Sequence, residues 1–207
     1  MPMEKKHEVK TSVKDESLIE KRRDQMIRAA VTLFKEKGFH RATTREIAKE
    51  AGFSIGTLYE YIRTKEDVLY LVCDSIYNEV HNRLSQITLE NGTTEDLKTA
   101  IRHYYEVIDD MSDEFVVMYQ ESKSLPKGAL EYVLTKELEM VDIFHKIITG
   151  CIQAGELELT GAQAHLYAHT LVVQGQMWAF RRWALRKEYT IEQFTELQID
   201  LLLNGMK

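Results

Sequence analysis

Only two prolines interrupt this chain of 207 residues, at Pro2 and Pro126. Proline removes a helical hydrogen bond and clashes with the preceding turn, so its scarcity leaves long stretches free to form helices. Within those stretches apolar residues recur at the three- and four-residue spacing of one helix face, and no segment alternates convincingly like a strand. We therefore predict an all-α fold of about nine helices.

Helix starts are marked by Ser and Thr residues, several of which stand three positions before Glu, Asp or Gln. This spacing is typical of a capping box, in which the two residues satisfy each other's free backbone N–H groups. Capping boxes are predicted at Thr43, Thr64, Thr160 and Thr190, and further helix starts at Ser54, Thr93, Ser112 and Pro126. The helix that follows Thr160 is predicted to run unbroken through residues 161–187.

Charge is distributed unevenly along the chain. Residues 1–66 hold 15 Lys and Arg against 11 Asp and Glu, a net charge of +4, whereas residues 67–207 hold 12 against 22, a net charge of −10. A basic first module suits a polyanion such as DNA, and an acidic remainder limits non-specific DNA binding. A chance distribution is the alternative explanation.

The stretch GFSIGTLYEYIRTKED, residues 52–67, predicts a short helix with an unusual outer face. On a helix wheel Leu58 and Ile62 share the core side, while Gly56 points directly away from it. The positions beside Gly56 and on the two flanks are those of Thr57, Tyr59 and Tyr61. A helix in a DNA major groove needs small residues against the bases and donors that reach the phosphates. Gly56 would let the backbone approach the base edges closely.

Lys65 indicates a phosphate contact at the start of the next helix. A cation in the first turn of a helix is disfavoured by the helix dipole, and a DNA phosphate would remove that conflict. Thr44 and Arg45, at the start of the preceding helix, are available for a phosphate and for a guanine respectively. Together these features predict a helix-turn-helix whose second helix reads DNA.

The segment AAVTLFKEKGFHRATTREIAKEAGFSIGTLYEYIRTKEDVL resembles the DNA-binding head of the TetR family of bacterial transcriptional repressors. The likeness covers about residues 20–71, including the Thr-x-x-x-Ile-Ala-x-x-Ala-Gly helix and the Gly-Thr-Leu-Tyr-x-Tyr helix. The resemblance implies a homodimer on palindromic double-stranded operator DNA, a body that binds a small-molecule effector, and release of DNA on effector binding. Ile55 departs from the polar base reader that can occur there, so it would contact a thymine methyl group.

On this resemblance we predict three segments: a disordered basic arm (1–17), a helix-turn-helix DNA-binding domain (18–66), and a ligand-binding and dimerisation domain (67–207). The residues predicted to contact DNA are Thr44, Arg45, Ser54, Ile55, Gly56, Thr57, Tyr59, Tyr61 and Lys65.

Methionines and aromatic residues are frequent in the predicted body, where most of them would form core. Met adapts to varied apolar ligands, and polar Gln174 and Arg181 share a helix face with Trp178, as in a pocket with a few orienting groups. The residues predicted to line a pocket are Tyr104, Met111, Phe115, Met118, Tyr119, Met140, Phe144, Gln174, Met177, Trp178 and Arg181. The expected effectors are apolar or amphipathic molecules, including fatty acyl thioesters, with a drug-like cation as the competing class.

Other classes of protein find little support in the sequence. No catalytic triad or phosphate loop is present, so we expect neither an enzyme nor a cofactor. His145, His165 and His169 lack the motif or carboxylate that would complete a metal site, which favours packing or interface histidines and predicts no metal. Cys73 and Cys151 are expected to be reduced thiols. No apolar run reaches a membrane span of about 18 residues and no signal peptide is evident, so we expect a cytoplasmic protein.

The last helices carry two apolar stretches, HLYAHTLVVQGQMWAF and QFTELQIDLLL. Together they expose more apolar surface than one small body can cover, which predicts a homodimer. Two functional hypotheses remain. The chain is either a ligand-responsive dimeric repressor or an architectural DNA-binding protein whose body serves only dimerisation.

Overall fold

The computed structural model describes residues 9–85 and 92–204, and every regular element in these ranges is a helix. The all-α prediction is therefore confirmed, with ten α-helices in the described ranges where about nine were expected. They are α1 (Glu16–Lys37), α2 (Thr44–Glu50), α3 (Ile55–Tyr61), α4 (Lys65–Ser85), α5 (Thr94–Asp110), α6 (Ser112–Glu121), α7 (Lys127–Gln153), α8 (Gly161–Phe180), α9 (Arg182–Glu188) and α10 (Ile191–Asn204).

The predicted capping boxes are present and set the helix starts. The Thr43 N–H donates to the Glu46 carboxylate at 3.0 Å, and the Glu46 N–H donates to the Thr43 hydroxyl at 3.3 Å. The same reciprocal bonds join Thr64 to Asp67, Thr160 to Gln163, and Thr190 to Gln193. Each cap contributes about 1 kcal/mol to helix stability, so a purely local signal was enough to locate these starts.

The helix predicted across residues 161–187 is divided at Arg181, where the backbone leaves helical geometry with φ −113° and ψ 19°. The reason is a tertiary contact. The Trp178 indole N–H, before the break, and the Arg186 guanidinium, after it, both donate to Asp109 Oδ1 at 2.7 Å. In an unbroken helix the Cα atoms of residues 178 and 186 would be about 12 Å apart along the axis. The change of direction lets both donors reach one carboxylate, and the prediction of a single helix was wrong.

Two compact units share these helices. The first is drawn from Met1–Ile76 and Val116–Thr135 and contains α1–α3, and the second is drawn from Tyr77–Phe115 and Lys136–Lys207 and contains α5 and α8–α10. Within the two described ranges, no helix combines the length and the apolar content needed to cross a membrane.

The first unit is built around α2, which packs against both α1 and α3. Five core residues of this head are at most 2% exposed, including the two predicted to share the core side of α3: Ala30, Phe34, Ile47, Leu58 and Ile62. Burying an aliphatic or aromatic side chain contributes about 1.5–3 kcal/mol. These contacts fix α3 relative to α2 and leave the opposite face of α3 available.

The second unit is centred on α5, which packs against α8 and α10. Gly175 permits this close packing, because a Cβ at that position would lie 2.5 Å from a ring carbon of Tyr105. Nearby, the rings of Trp178 and Phe194 stack with their centroids 5.1 Å apart. The largest fully buried side chains of this unit are aromatic, among them Trp178, Tyr104 and Tyr105.

The segment before α1 differs from the expected disordered arm. The first eight residues lie outside the described part of the chain. From Val9 on, the backbone has partners: the Val9 carbonyl accepts from Arg23 at 2.6 Å, and the Ser12 N–H donates to the Glu60 carbonyl at 2.9 Å. Composition alone does not reveal these partners, because they come from α1 and from the end of α3.

Candidate functional site

A tight turn joins α2 to α3. Gly52 adopts a φ of +77°, a conformation that glycine reaches without strain. The Phe53 N–H returns to the Ala48 carbonyl at 2.7 Å, and the Ser54 hydroxyl caps α3 by accepting from the Thr57 N–H at 3.0 Å. Two short helices joined in this way form a helix-turn-helix.

Gly56 lies in the middle of the exposed face of α3. A Cβ added there would meet only the Ser54 hydroxyl oxygen, at 3.6 Å, so this face is open to an approaching surface. At its flank Tyr59 is 51% exposed, and the Tyr59 hydroxyl lies 3.0 Å from the Thr44 hydroxyl. Arg45 is exposed and makes no hydrogen bond or ion pair with the residues that the structure describes.

Small side chains surround Gly56 on the same face. The hydroxyls of Ser54 and Thr57 lie 3.0 Å apart, and Ile55 is half-buried. This surface offers methyl groups and hydroxyls, which suit thymine methyl groups and the polar edges of bases in a major groove. The structure thus brings together most of the predicted DNA-binding residues, and their contact with DNA stays a prediction.

Lys65 was predicted to bind a DNA phosphate, but its ammonium group is occupied by the protein itself. Nζ donates to the carbonyl oxygens of Phe39 at 2.6 Å and Ala42 at 2.8 Å, with that of His40 at 3.4 Å. An ammonium has three donors, and these three carbonyls take them. The conflict with the helix dipole is therefore relieved inside the head, and we withdraw the phosphate role.

Tyr61 was predicted on a flank of α3, where its hydroxyl would reach a phosphate. Its side chain is only 3% exposed and belongs to the core with Leu58 and Ile62. Tyr61 lies about 60° around the helix from Leu58, so the buried stripe of this short helix is wider than the sequence suggested. We therefore do not retain Tyr61 as a surface donor.

The residues predicted to line an effector pocket differ widely in exposure. Six of them are at most 6% exposed: Tyr104, Phe115, Met118, Met140, Phe144 and Trp178. Half-buried are Met111, Gln174 and Met177. These nine residues have the burial that a pocket lining requires, and a role in ligand binding stays a prediction.

Tyr119 and Arg181 do not have the burial expected of pocket residues. Tyr119 is 70% exposed. Arg181 is exposed at the break between α8 and α9, with its guanidinium 5.7 Å from the centre of the Trp183 ring. Helical periodicity placed both on plausible faces, but α6 and α8 each end close to these residues. We withdraw both from the predicted lining.

A polar cluster inside the second unit was missed by the sequence analysis. The Glu137 carboxylate accepts from the Gln176 amide at 2.5 Å and from the Tyr77 hydroxyl at 3.4 Å. Burial raises the pKa of Glu137, and the two donors act against that rise. The Tyr104 hydroxyl is also buried and has no hydrogen-bond partner among the described residues.

A signal for this cluster was present in the sequence. Glu137 stands three residues before Met140 and seven before Phe144, which puts a charged residue within an apolar stripe of α7. A buried charged group needs partners, so such a position predicts polar residues on the facing helices.

The three histidines of α7 and α8 contact one another through their rings. The centroids of His145 and His165 are 5.4 Å apart, and those of His165 and His169 are 4.8 Å apart. In the ranges 9–85 and 92–204, no group of three or more His, Cys, Asp or Glu residues is placed to hold a metal ion. Cys73 and Cys151 are both buried, and neither forms a disulfide within the part of the chain that the structure describes.

Exposed apolar side chains form rows on α8 and α10. Leu166 and Val173, two turns apart on α8, are 67% and 59% exposed, and Leu197 and Leu201, one turn apart on α10, are 51% and 65% exposed. Rows of this kind mark surfaces that contact another protein.

Two family models match the chain. Residues 26–70 match a model described as bacterial regulatory proteins of the tetR family, and residues 90–206 match one described as a tetracyclin repressor-like C-terminal domain. The first match includes the helix-turn-helix, and the second includes α5 and α7–α10.

Individual proteins that are similar to this chain in sequence or structure support the same family. The HTH-type transcriptional regulator HbdR of Aromatoleum sp. (strain CIB) is 30% identical over 207 residues, covering 98% of this chain and 88% of that protein. A bacterial regulatory protein in the tetR family from Rhodococcus RHA1 has a TM-score of 0.80 at 21% identity, covering 90% of this chain and 97% of that one. AibR, solved with isovaleryl coenzyme A and operator DNA, has a TM-score of 0.73 at 18% identity, covering 87% and 97%. The helix-turn-helix, both family models and the nearly full-length relative agree, and the chain belongs to the TetR family of transcriptional regulators.

Proposed function

We propose that this protein is a dimeric repressor that binds a palindromic operator through α2 and α3 and releases it when a small effector binds to the second unit. The observation that carries the proposal is the open face of α3 at Gly56, where a Cβ would meet only the Ser54 hydroxyl oxygen, at 3.6 Å. Within residues 9–85 and 92–204 no intramolecular partner covers this face, and a DNA groove is a surface that would fit over it.

The residues around Gly56 divide by chemistry into two roles. Arg45, Ile55 and Thr57 would read base edges, because a guanidinium suits guanine and methyl groups suit thymine. Ser54 and the linked hydroxyls of Thr44 and Tyr59 would contact phosphates, which position the protein without reading sequence.

Dimerisation would use the exposed rows on α8 and α10. Leu166, Val173, Leu197 and Leu201 are all more than half exposed in the single chain, and a second copy of the same surface would remove them from water. A two-fold dimer presents two heads to half-sites about 34 Å apart along the duplex. As a regulator of transcription, the dimer would act on the chromosome in the cytoplasm.

The effector would be apolar or amphipathic, with fatty acyl thioesters as the first candidates. Two features support this class: the buried aromatic and Met residues of the second unit, and the isovaleryl coenzyme A bound to AibR. Effector binding would lower operator affinity by a coupling free energy of about 1–3 kcal/mol, and the operator would weaken effector binding by the same factor.

The test is to titrate operator-bound protein with acyl coenzyme A thioesters and to follow release by fluorescence anisotropy. The operator is first selected from random duplexes with the purified protein. Release at micromolar thioester supports the proposal. If no thioester or other metabolite changes the anisotropy, the architectural alternative is favoured, in which the second unit serves only dimerisation.

A further inference from the structure

The Tyr104 hydroxyl is an unpaired polar group in the core of the second unit. Tyr104 is 0% exposed, and its hydroxyl has no hydrogen-bond partner of ordinary geometry among the described residues. Burial raises the pKa of Tyr104, and the Gln176 side chain lies close enough to the hydroxyl oxygen to act against that rise as a hydrogen-bond donor, which leaves the O–H of Tyr104 without an acceptor. Buried hydroxyls are normally paired, because an unpaired one loses its bonds to water without replacement. An unpaired hydroxyl therefore points to a missing partner.

The neighbouring cluster limits what that partner can be. Burial raises the pKa of Tyr104, and the nearby charge of Glu137 raises it further. The Glu137 carboxylate already accepts from Gln176 and Tyr77. A carboxylate has about four acceptor positions, so two remain for a further donor. Tyr104 can donate, and Glu137 can accept.

The cluster has an apolar side and a more open side. The ring of Phe144 packs against that of Tyr104 with centroids 5.3 Å apart, and Met140 is 3% exposed on the same face of α7. Glu137 is only half-buried, so the polar edge of the cluster is the more accessible one. An apolar molecule with one polar group matches this division.

We propose that Tyr104 and Glu137 recognise a hydroxyl group carried on the apolar part of the effector. A hydroxyl both accepts and donates, so it can take the hydrogen bond of Tyr104 and give one to Glu137. The inference rests on the proposed function, since it names the chemistry of the same effector.

Other groups fit the two residues less well. A carbonyl oxygen accepts from Tyr104 and gives nothing to Glu137. A carboxylate would place a second negative charge beside Glu137, which costs free energy in a poorly solvated site. A plain hydrocarbon leaves the Tyr104 hydroxyl unpaired.

The experiment uses the full-length protein without DNA and two kinds of probe: decanoyl coenzyme A, and decanoyl coenzyme A with a hydroxyl at C3 or at the terminal carbon. Calorimetry measures the dissociation constant of each. We expect at least one hydroxylated probe to bind about tenfold more tightly than decanoyl coenzyme A, a preference of the size expected for one paired buried hydrogen bond. Tyr104→Phe should remove this preference, so that the hydroxylated and plain probes bind the variant with equal affinity.

Tyr105→Phe is the matched control, because the adjacent Tyr105 hydroxyl is also buried but already donates to the Leu171 carbonyl at 3.2 Å. It should keep the preference for the hydroxylated probe. In thermal unfolding without ligand, Tyr104→Phe should raise the Tm, since it removes an unpaired group, and Tyr105→Phe should lower it.

Equal affinities of the probes for the wild-type protein, failure of all of them to bind, or a preference that survives Tyr104→Phe would overturn the inference. An operator-release assay with the same probes distinguishes a failure of this inference from a failure of the proposed function. Selective binding of a hydroxylated probe without DNA release leaves this inference standing and removes the proposed repressor mechanism. If all probes release the operator at the same concentration, the proposed repressor mechanism stands and this inference is overturned.

Discussion

Lys65 Nζ lies 2.6 Å from the carbonyl oxygen of Phe39, a residue 26 positions earlier in the chain. With two further carbonyls bonded to the same ammonium, Lys65 holds the segment between α1 and α2. We expect Lys65→Met to lower the free energy of unfolding by about 1.5–3 kcal/mol, the range for hydrogen bonds to a charged group. Urea denaturation measures this change. Lys49→Met, at an exposed position of α2, is the control, and an equal loss in both variants would contradict the role of Lys65.

Gly56→Ala should change stability and DNA binding in opposite directions. Alanine is favoured over glycine within a helix by about 1 kcal/mol, and the added Cβ meets no close atom in the free protein. The Tm should therefore rise, while operator affinity falls because the Cβ enters the space proposed for the base edges. Gly128→Ala, at an exposed helical position with open space around it, should leave operator affinity unchanged. If Gly56→Ala binds the operator as tightly as the wild-type protein does, the proposed close approach of the α3 backbone to the base edges is wrong.

Arg45→Ala should relax sequence specificity, because its guanidinium is proposed to read a base. We expect a loss of about 1–3 kcal/mol on the operator and little change on a duplex with that base pair replaced. Tyr59→Phe should weaken binding by a similar factor on both duplexes, because a phosphate contact carries no sequence information. Anisotropy titrations at one salt concentration test the pair. Identical profiles for the two variants would contradict this division.

Leu197→Glu should produce a monomer. A charge on the exposed row of α10 opposes burial against a second copy, so sedimentation should give a mass near that of the 24.1 kDa chain instead of twice that mass. Tyr119→Glu introduces the same charge on α6 at a site that is 70% exposed and should remain dimeric. The proposed interface would be misplaced if both variants sediment as the wild-type protein does.

The stability of the protein should depend on pH through Glu137. Burial raises the pKa of Glu137 in the folded state, so the folded protein holds this proton more tightly than the unfolded chain does. The contribution to stability is present below the ordinary carboxyl pKa and is lost as pH rises through the raised value. Glu137→Gln should therefore show a smaller fall in the free energy of unfolding between about pH 4 and about pH 8. Glu131→Gln, an exposed carboxylate on the same helix, should keep the wild-type slope, and an unchanged slope for Glu137→Gln would contradict the expectation.

Local signals in the sequence were sufficient for the helix starts and for the helix-turn-helix core of the head. Capping at Thr43 and Ser54 depends on residues three positions away, and the core residues Ile47 and Leu58 follow helical periodicity. The open position of Gly56 also followed from periodicity, because α3 has a single core to face. Each of these features is decided within a few residues.

Features that depend on distant residues could not be predicted in this way. The partners of Lys65 lie more than twenty positions away, and the break at Arg181 depends on Asp109. The body residues were harder still, because helical periodicity selects a face without showing what lies opposite it. The cluster around Glu137 needs three facing helices to be placed before its partners can be known.

The bond between the hydroxyls of Thr44 and Tyr59 affects side-chain entropy as well as geometry. Ordering a flexible side chain at an interface costs about 0.5–1.5 kcal/mol at the moment of binding. In this head the Tyr59 ring loses that freedom when the protein folds, since Thr44 already holds its hydroxyl at 3.0 Å. A phosphate would then meet a donor in a fixed orientation on any duplex. That saving would strengthen binding to any duplex, and the choice among sequences would be left to the residues around Gly56.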